Sequence, residues 1–229
     1  KETGDYHPLT DDVLLSHMRG HKLVGIYPMR QDNTVRLFAV DFDDHRGTRD
    51  ALADAQRFYE SFDQETFPVY LERSKSSTGY HIWGFFSTDV VAWQIRGVLY
   101  ARLRSLDLIQ EGVSEQSTYD RIFPNQDRLS GKGLGNLIAL PLNGKYAKSA
   151  ARGSLFINPA SLQRPPGAVL VPPPGVKVEL DEKGQPKTTG FAPWLEPFED
   201  QMAFLATIRT ITEEQFAAAM AAYDVVEPG

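Results

Sequence analysis

The sequence predicts an α+β domain built on a mixed or antiparallel β-sheet flanked by helices. Three observations carry that reading. Short runs with strand-like composition interleave with longer runs of helical period, without strict strand–helix–strand repetition. Turn-rich segments, Gln31-Asp32-Asn33 and the Ser/Gly stretch 74–79, separate strand runs closely enough to make hairpins. The chain of 229 residues is 41% hydrophobic and 24% charged, enough to bury a sizeable core. We read residues 1–229 as a single domain.

In chain order, residues 10–20 read as a short helix with Thr10 as N-cap and Asp11 and Asp12 in the first turn. Leu23–Tyr27 and Val35–Phe42 read as strands. Thr48 opens a helix whose apolar face holds Leu52, Ala55, Phe58 or Tyr59, and Phe62. Pro68–Glu72 and Tyr80–Phe86 are strands on either side of the 74–79 loop. Thr88 is the expected cap of a long helix with Val91, Ile95, Val98, Leu99, Leu103 and Leu106 as its stripe. Tyr119–Phe123, Asn136–Leu142 and Ser154–Ile157 are strand-like. Residues 159–193 contain more than half of the chain's 15 prolines and read as an extended, loop-rich insertion. Helices resume over about 199–208 and 213–223, the second with Thr212 and Gln215 at capping-box spacing.

Composition narrows the function classes. With no cysteine, disulfides and cysteine-ligated zinc are excluded within the chain. No run approaches the ~20 apolar residues of a membrane span, and we expect no membrane partner and a cytoplasmic location. The start at Lys1, without Met or a visible signal peptide, reads as a segment of a longer protein. Net charge is -6, but it is unevenly distributed. Six basic residues stand against one acid between Arg121 and Arg152, and eight acids against three bases between Asp41 and Glu65. A cation site beside a basic strip gives this pattern, as do two solvated faces of opposite sign.

The most informative residues are Asp41 and Asp43, at the end of the run Leu37-Phe38-Ala39-Val40-Asp41-Phe42-Asp43. Strand side chains alternate, so both carboxylates point to one face with Cα atoms roughly 6.6 Å apart. Two such charges need a shared cation or a proton. The pair therefore reads as a divalent-metal site, with solvated strand-end acids as the plain alternative. Asp44 reads as a turn acid. A second constellation runs from Glu72 to Trp83, where Ser74, Lys75, Ser76 and then His81 offer hydroxyls and positive groups to phosphate oxygens. The spacing is not that of a P-loop, and a polar hairpin with a packed histidine is an equal reading. The third is Asp120 to Asp127, followed by a glycine-rich stretch with Lys132 and Asn136. A third acid after a hydrophobic strand would complete the cage, because hard cations collect oxygen ligands; an Asx-type loop with a glycine hinge is the plain alternative.

Taken as a set, this order resembles the archaeo-eukaryotic primase superfamily, and is most similar to the primase-polymerase domains of CRISPR-associated primase-polymerases and TOTE conflict systems. The resemblance lies in GIYPMRQDNTVRLFAVDFDD, LERSKSSTGYHIWGFF, YDRIFPNQD and GLGNLIALPL, with FEDQMAFLATI near the end. Together these span about residues 24–210. It implies a primase-like catalytic core that performs DNA-directed, template-directed nucleotidyl transfer from NTP or dNTP. By that resemblance Asp41, Asp43 and Asp127 hold two Mg²⁺ or Mn²⁺ ions and are catalytic. Ser74, Lys75, Ser76, His81, Lys132 and Asn136 bind the nucleotide. Single-stranded DNA template and primer are the implied partners, and Arg96, Arg104, Lys145 and Lys148 are weaker candidates for contacting them. CRISPR adaptation proteins are admitted as further partners, beside other defence or repair pathways. One departure is local: Ser77, Thr78 and Tyr80 stand where related loops carry Gly, Asn and Gly. Two other readings stay open from the residues alone. They are a haloacid-dehalogenase-type phosphohydrolase, suggested by Asp41-Phe42-Asp43, and a non-catalytic nucleic-acid-binding module.

Overall fold

A computed structural model describes residues 6–44, 49–110, 117–131, 133–147, 153–175, 180, 184 and 190–227. Its centre is a five-stranded sheet in the order β5-β2-β4-β3-β7, formed by Tyr119–Phe123, Thr34–Phe42, Tyr80–Val91, Tyr70–Arg73 and Leu155–Phe156. Every neighbouring pair is antiparallel. A separate antiparallel pair joins β1 (Gly25–Ile26) to β6 (Ile138–Ala139).

Side-chain alternation divides the sheet into two faces. Phe38, Val40 and Phe42 of β2 share one face with Ile82 and Phe86 of β4, Leu71 of β3 and Ile122 of β5. Helices α2 (Ala51–Glu60) and α3 (Ala92–Ser105) cover it, through Leu52, Ala55 and Phe58 and through Ile95, Val98, Leu99 and Leu103. Gly84 makes this face possible at one point: a Cβ there would lie 2.2 Å from the Phe38 ring. The other face carries Ala39, Trp83, Phe123 and Phe156. It is covered only in part, by Ile138 of β6 and by Phe204 of the short helix α4 (Gln201–Leu205). The uncovered part of this face holds the polar residues considered below.

Several expected boundaries move for identifiable reasons. Helix α1 (Asp11–Met18) begins at Thr10 as expected, its hydroxyl accepting from Val13 N at 3.4 Å. Asp50, rather than Thr48, caps α2 by accepting from Ala53 N, and Thr48 lies outside the described residues. Thr88 is not a helix cap. Strand β4 runs on to Val91 because Thr34 and Val35 of β2 pair with Val91 and Val90 across a register shift. The strands expected at 23–27 and 136–142 shrink to two-residue pairs. The last helix is α5 (Glu213–Ala222), which closes with the Thr212/Gln215 capping box the spacing predicts. Within 159–193 the described residues form one 3-10 turn, Pro159–Ser161, and an isolated bridge between Val171 and Phe191. No described helix is long and apolar enough to cross a membrane.

Candidate active site

Register across the sheet sets a row of polar side chains on the uncovered face. Asp41 of β2 pairs with His81 of β4 on one side and with Arg121 of β5 on the other, and His81 pairs in turn with Glu72 of β3. Directly paired residues of antiparallel strands project to the same face. Arg121, Asp41, His81 and Glu72 therefore stand side by side. They line a cleft of about 310 Å³, a size suited to a small ligand.

Asp120 enters the same cleft. Simple alternation would send it to the opposite face from Arg121. The pairing instead slips by one residue between Asp41 and Phe42, which opens a bulge in β5 at Asp120. Bulges re-aim side chains in this way. Arg121 Nε donates to Asp120 Oδ2 at 2.7 Å. Asp43 follows the end of β2, its backbone N–H donating to Thr118 O at 2.8 Å. Thr118 is itself gripped by Asp54 of α2, whose Oδ2 accepts from both its backbone N–H and its hydroxyl at 2.8 Å. Asp43 also lines the cleft. Asp44 is a turn acid, accepting from Arg49 N.

The serine loop between β3 and β4 supplies another wall. Ser74, Lys75 and Ser76 line the cleft with His81. Ser76 Oγ orders the loop by accepting from Gly79 N at 3.1 Å and Thr78 N at 3.3 Å, and it shares a hydrogen bond with Ser74 Oγ at 2.8 Å. Ser77 has a φ of +71°, the left-handed region that glycine favours. Its buried hydroxyl accepts from Gly153 N at 3.1 Å, which ties the loop to the segment before β7. Ser77 thus shapes the loop and is not among the residues lining the cleft.

Charge is crowded in this cleft. Burial pushes the Asp41 carboxyl up to about 6, with Asp120 and Asp43 adding to the rise and His81 and Arg121 opposing it. Burial works against a charged His81 ring, yet the charge and hydrogen bond of Glu72, with Asp41 and Asp43, raise it to about 8. His81 Nε2 lies 3.5 Å from Asp41 Oδ1, and Nδ1 lies 2.9 Å from Glu72 Oε2. The other side of the cleft is apolar, formed by Phe123 and by Leu137, Ile138, Ala139 and Leu140, with Leu23 and Tyr146. Among the described residues, no group of three or more His, Cys, Asp or Glu is arranged to hold a metal ion.

Other expected site residues stand elsewhere. Asp127 is not a cleft residue; Arg96 Nε donates to its Oδ1 at 2.6 Å, at the end of α3 that covers the far face. The chain leaves β5 at Phe123, and Asp127 then meets Arg96 of α3. The third acid in the cleft is Asp120. Its signal was an acid inside a hydrophobic strand run, but the bulge that turns it inward is not written in the alternation. Asn136 is likewise outside the cleft. Its Oδ1 accepts from Asn125 N and its Nδ2 donates to Ile122 O, so it pins the loop after β5. Arg96 is spent on Asp127 and on Pro124 O, and Arg104 lies exposed on α3, away from the cleft face. Lys145 is exposed next to the cleft residue Tyr146, with Nζ 5.6 Å from that ring's centroid. Lys132 and Lys148 lie outside the described residues. Glu72 and Arg121 are cleft residues to which the sequence reading gave no role in the site.

Comparison with curated proteins gives no match. Comparison with family models does: residues 1–166 match the archaeo-eukaryotic primase domain of TOTE conflict systems. That span takes in β1 to β7 and every cleft residue named above, and a match over this share of the chain establishes that the protein belongs to this primase-like family of nucleotidyltransferases.

Proposed function

We propose that the chain is the catalytic domain of a DNA-directed primase-polymerase. It adds nucleotides from NTP or dNTP to a primer 3′-hydroxyl, or to a first nucleotide, opposite a single-stranded template. The observation that carries this reading is the meeting of Asp41, Asp43 and Asp120 with Ser74, Lys75, Ser76 and His81 in one cleft. The haloacid-dehalogenase alternative gives the second group no work.

The residues suit Mg²⁺ or Mn²⁺. Asp41 is buried beside two further carboxylates, and its pKa is raised first by that burial and then by the charge of Asp120 and Asp43, which a cation would relieve. Hard cations of this class are held by one or two carboxylates plus substrate phosphate oxygens. When bound, the metal supplies Lewis-acid stabilisation of the attacking oxygen and the polyphosphate. The protein groups do the rest. Asp41, Asp43 and Asp120 fix the reacting end. Lys75, His81 and the hydroxyls of Ser74 and Ser76 hold the triphosphate in line and neutralise charge as pyrophosphate departs. Leu137, Ile138 and Phe123 form an apolar wall for the base. Lys145, exposed beside Tyr146, is the residue assigned to a template phosphate, so template binding is expected to weaken with salt. The partners are template, primer and nucleotide, and CRISPR adaptation proteins fit only as a pathway option.

Labelled dNTP and NTP incorporation on a primed single-stranded template, with Mn²⁺ and with EDTA, tests the proposal. Incorporation that needs the metal and is lost in Asp41→Asn supports it. No incorporation of either nucleotide by the wild type, or incorporation that survives Asp41→Asn, refutes it.

A further inference from the structure

Glu72 is 1% exposed, an extreme burial for a carboxylate. Three side-chain donors meet its carboxylate. Oε2 accepts from His81 Nδ1 at 2.9 Å and from Trp83 Nε1 at 2.7 Å, while Oε1 accepts from the buried Ser154 hydroxyl. A buried carboxylate survives only when its lone pairs are used in this way. These bonds reach Glu72 from two segments: His81 and Trp83 lie on β4, and Ser154 lies just before β7. The carboxylate cannot rotate without leaving a buried indole N–H or hydroxyl unpaired, which makes it a rigid support.

Its effect falls on His81. An acceptor fixed at Nδ1 sets both the tautomer and the orientation of an imidazole. Here it presents the Nε2 edge toward Asp41 and the cleft. We propose that Glu72 is a positioning residue, which accepts from His81 Nδ1 and so holds the ring with its Nε2–H edge in place to donate to a phosphate oxygen of the bound nucleotide. This rests on the proposed nucleotide site, but its structural half does not depend on nucleotide binding.

Two measurements separate the proposal from that of the site. Long-range ¹H–¹⁵N spectra of the wild type should show His81 Nδ1 protonated. An unprotonated Nδ1 overturns the positioning role whether or not nucleotide binds. ATP affinity, measured by calorimetry on wild type, Glu72→Gln, Glu72→Ala and the same changes in a His81→Ala background, tests the functional half. Glu72→Ala should weaken ATP about tenfold, the scale of one charge-assisted hydrogen bond. Glu72→Gln, which keeps an oxygen acceptor, should stay within about threefold. With His81 already absent, Glu72→Gln and Glu72→Ala should change ATP affinity no further. Equal losses in both backgrounds, or a Gln variant as weak as Ala while its melting temperature is unchanged, would overturn the proposal. Should Glu72→Ala not fold, Glu72→Gln and the wild-type spectrum decide the matter. A wild type that binds no ATP while Nδ1 is protonated leaves the positioning role standing, and overturns both the nucleotide site and the phosphate contact.

Discussion

Arg96 Nε holds Asp127 Oδ1 at 2.6 Å, on the helix that covers the far face of the sheet from Asp41. Asp127 thus serves the packing of the loop after β5. Asp127→Asn should cost no more than about 1 kcal/mol, the scale of a partly exposed ion pair. Urea denaturation checks this, and nucleotide incorporation by the variant should stay within about threefold of wild type, since the cleft residues are untouched.

Charge in the cleft makes the metal-free protein less stable as pH rises. Asp41, at about 6 instead of 3.8, favours its protonated form when folded. Its contribution is full below pH 3.8 and lost as pH passes 6. His81, at about 8 instead of 6.5, contributes fully below 6.5 and loses this as pH passes 8. The His81 step is worth about 2 kcal/mol by linkage. Denaturation in EDTA from pH 4 to 9 should show both declines. His81→Asn should erase the upper one, and a wild-type stability that rises between pH 6.5 and 8 would contradict the arrangement.

Cation binding should oppose the first of those declines, because it favours the ionised form of Asp41. Mn²⁺ at about a hundred times its dissociation constant should add about 2.7 kcal/mol of stability. Differential scanning fluorimetry, reversed with EDTA, reads the effect. It should vanish in the Asp41→Asn, Asp43→Asn double variant.

Two glycines separate site from core. A Cβ on Gly79 would lie 3.0 Å from Ser74 Oγ and 3.3 Å from Asp43 Cγ. Gly79→Ala should therefore displace the serine loop from Asp43 and reduce incorporation about tenfold, the cost of small misplacement. A Cβ on Gly84 would meet the Phe38 ring at 2.2 Å. Gly84→Ala should instead cost about 2 kcal/mol or more by overpacking. Paired denaturation and incorporation measurements distinguish the two.

Much of this architecture was legible in the sequence where local chemistry decides it. The alternation through Asp41, the capping box at Thr212 and Gln215, and the apolar stripe of α3 are local patterns. The misses arise where long-range pairing overrides local signals. Thr88 has a capping side chain, but the first residues of β2 recruit it into β4. Asp120 reaches the cleft through a bulge set by its partner strand. Glu72 meets His81 across a hairpin whose register the residues of β3 alone do not fix. Asn136, similarly, is taken up by backbone groups of the loop after β5.

The most direct test is metal-dependent incorporation of labelled nucleotide on a primed single-stranded template by Asp41→Asn, Asp120→Asn and Asp127→Asn side by side. The first two should lose activity by about a hundredfold or more, while Asp127→Asn keeps it. An active Asp120→Asn, or an inactive but folded Asp127→Asn, would contradict this placement of the catalytic acids.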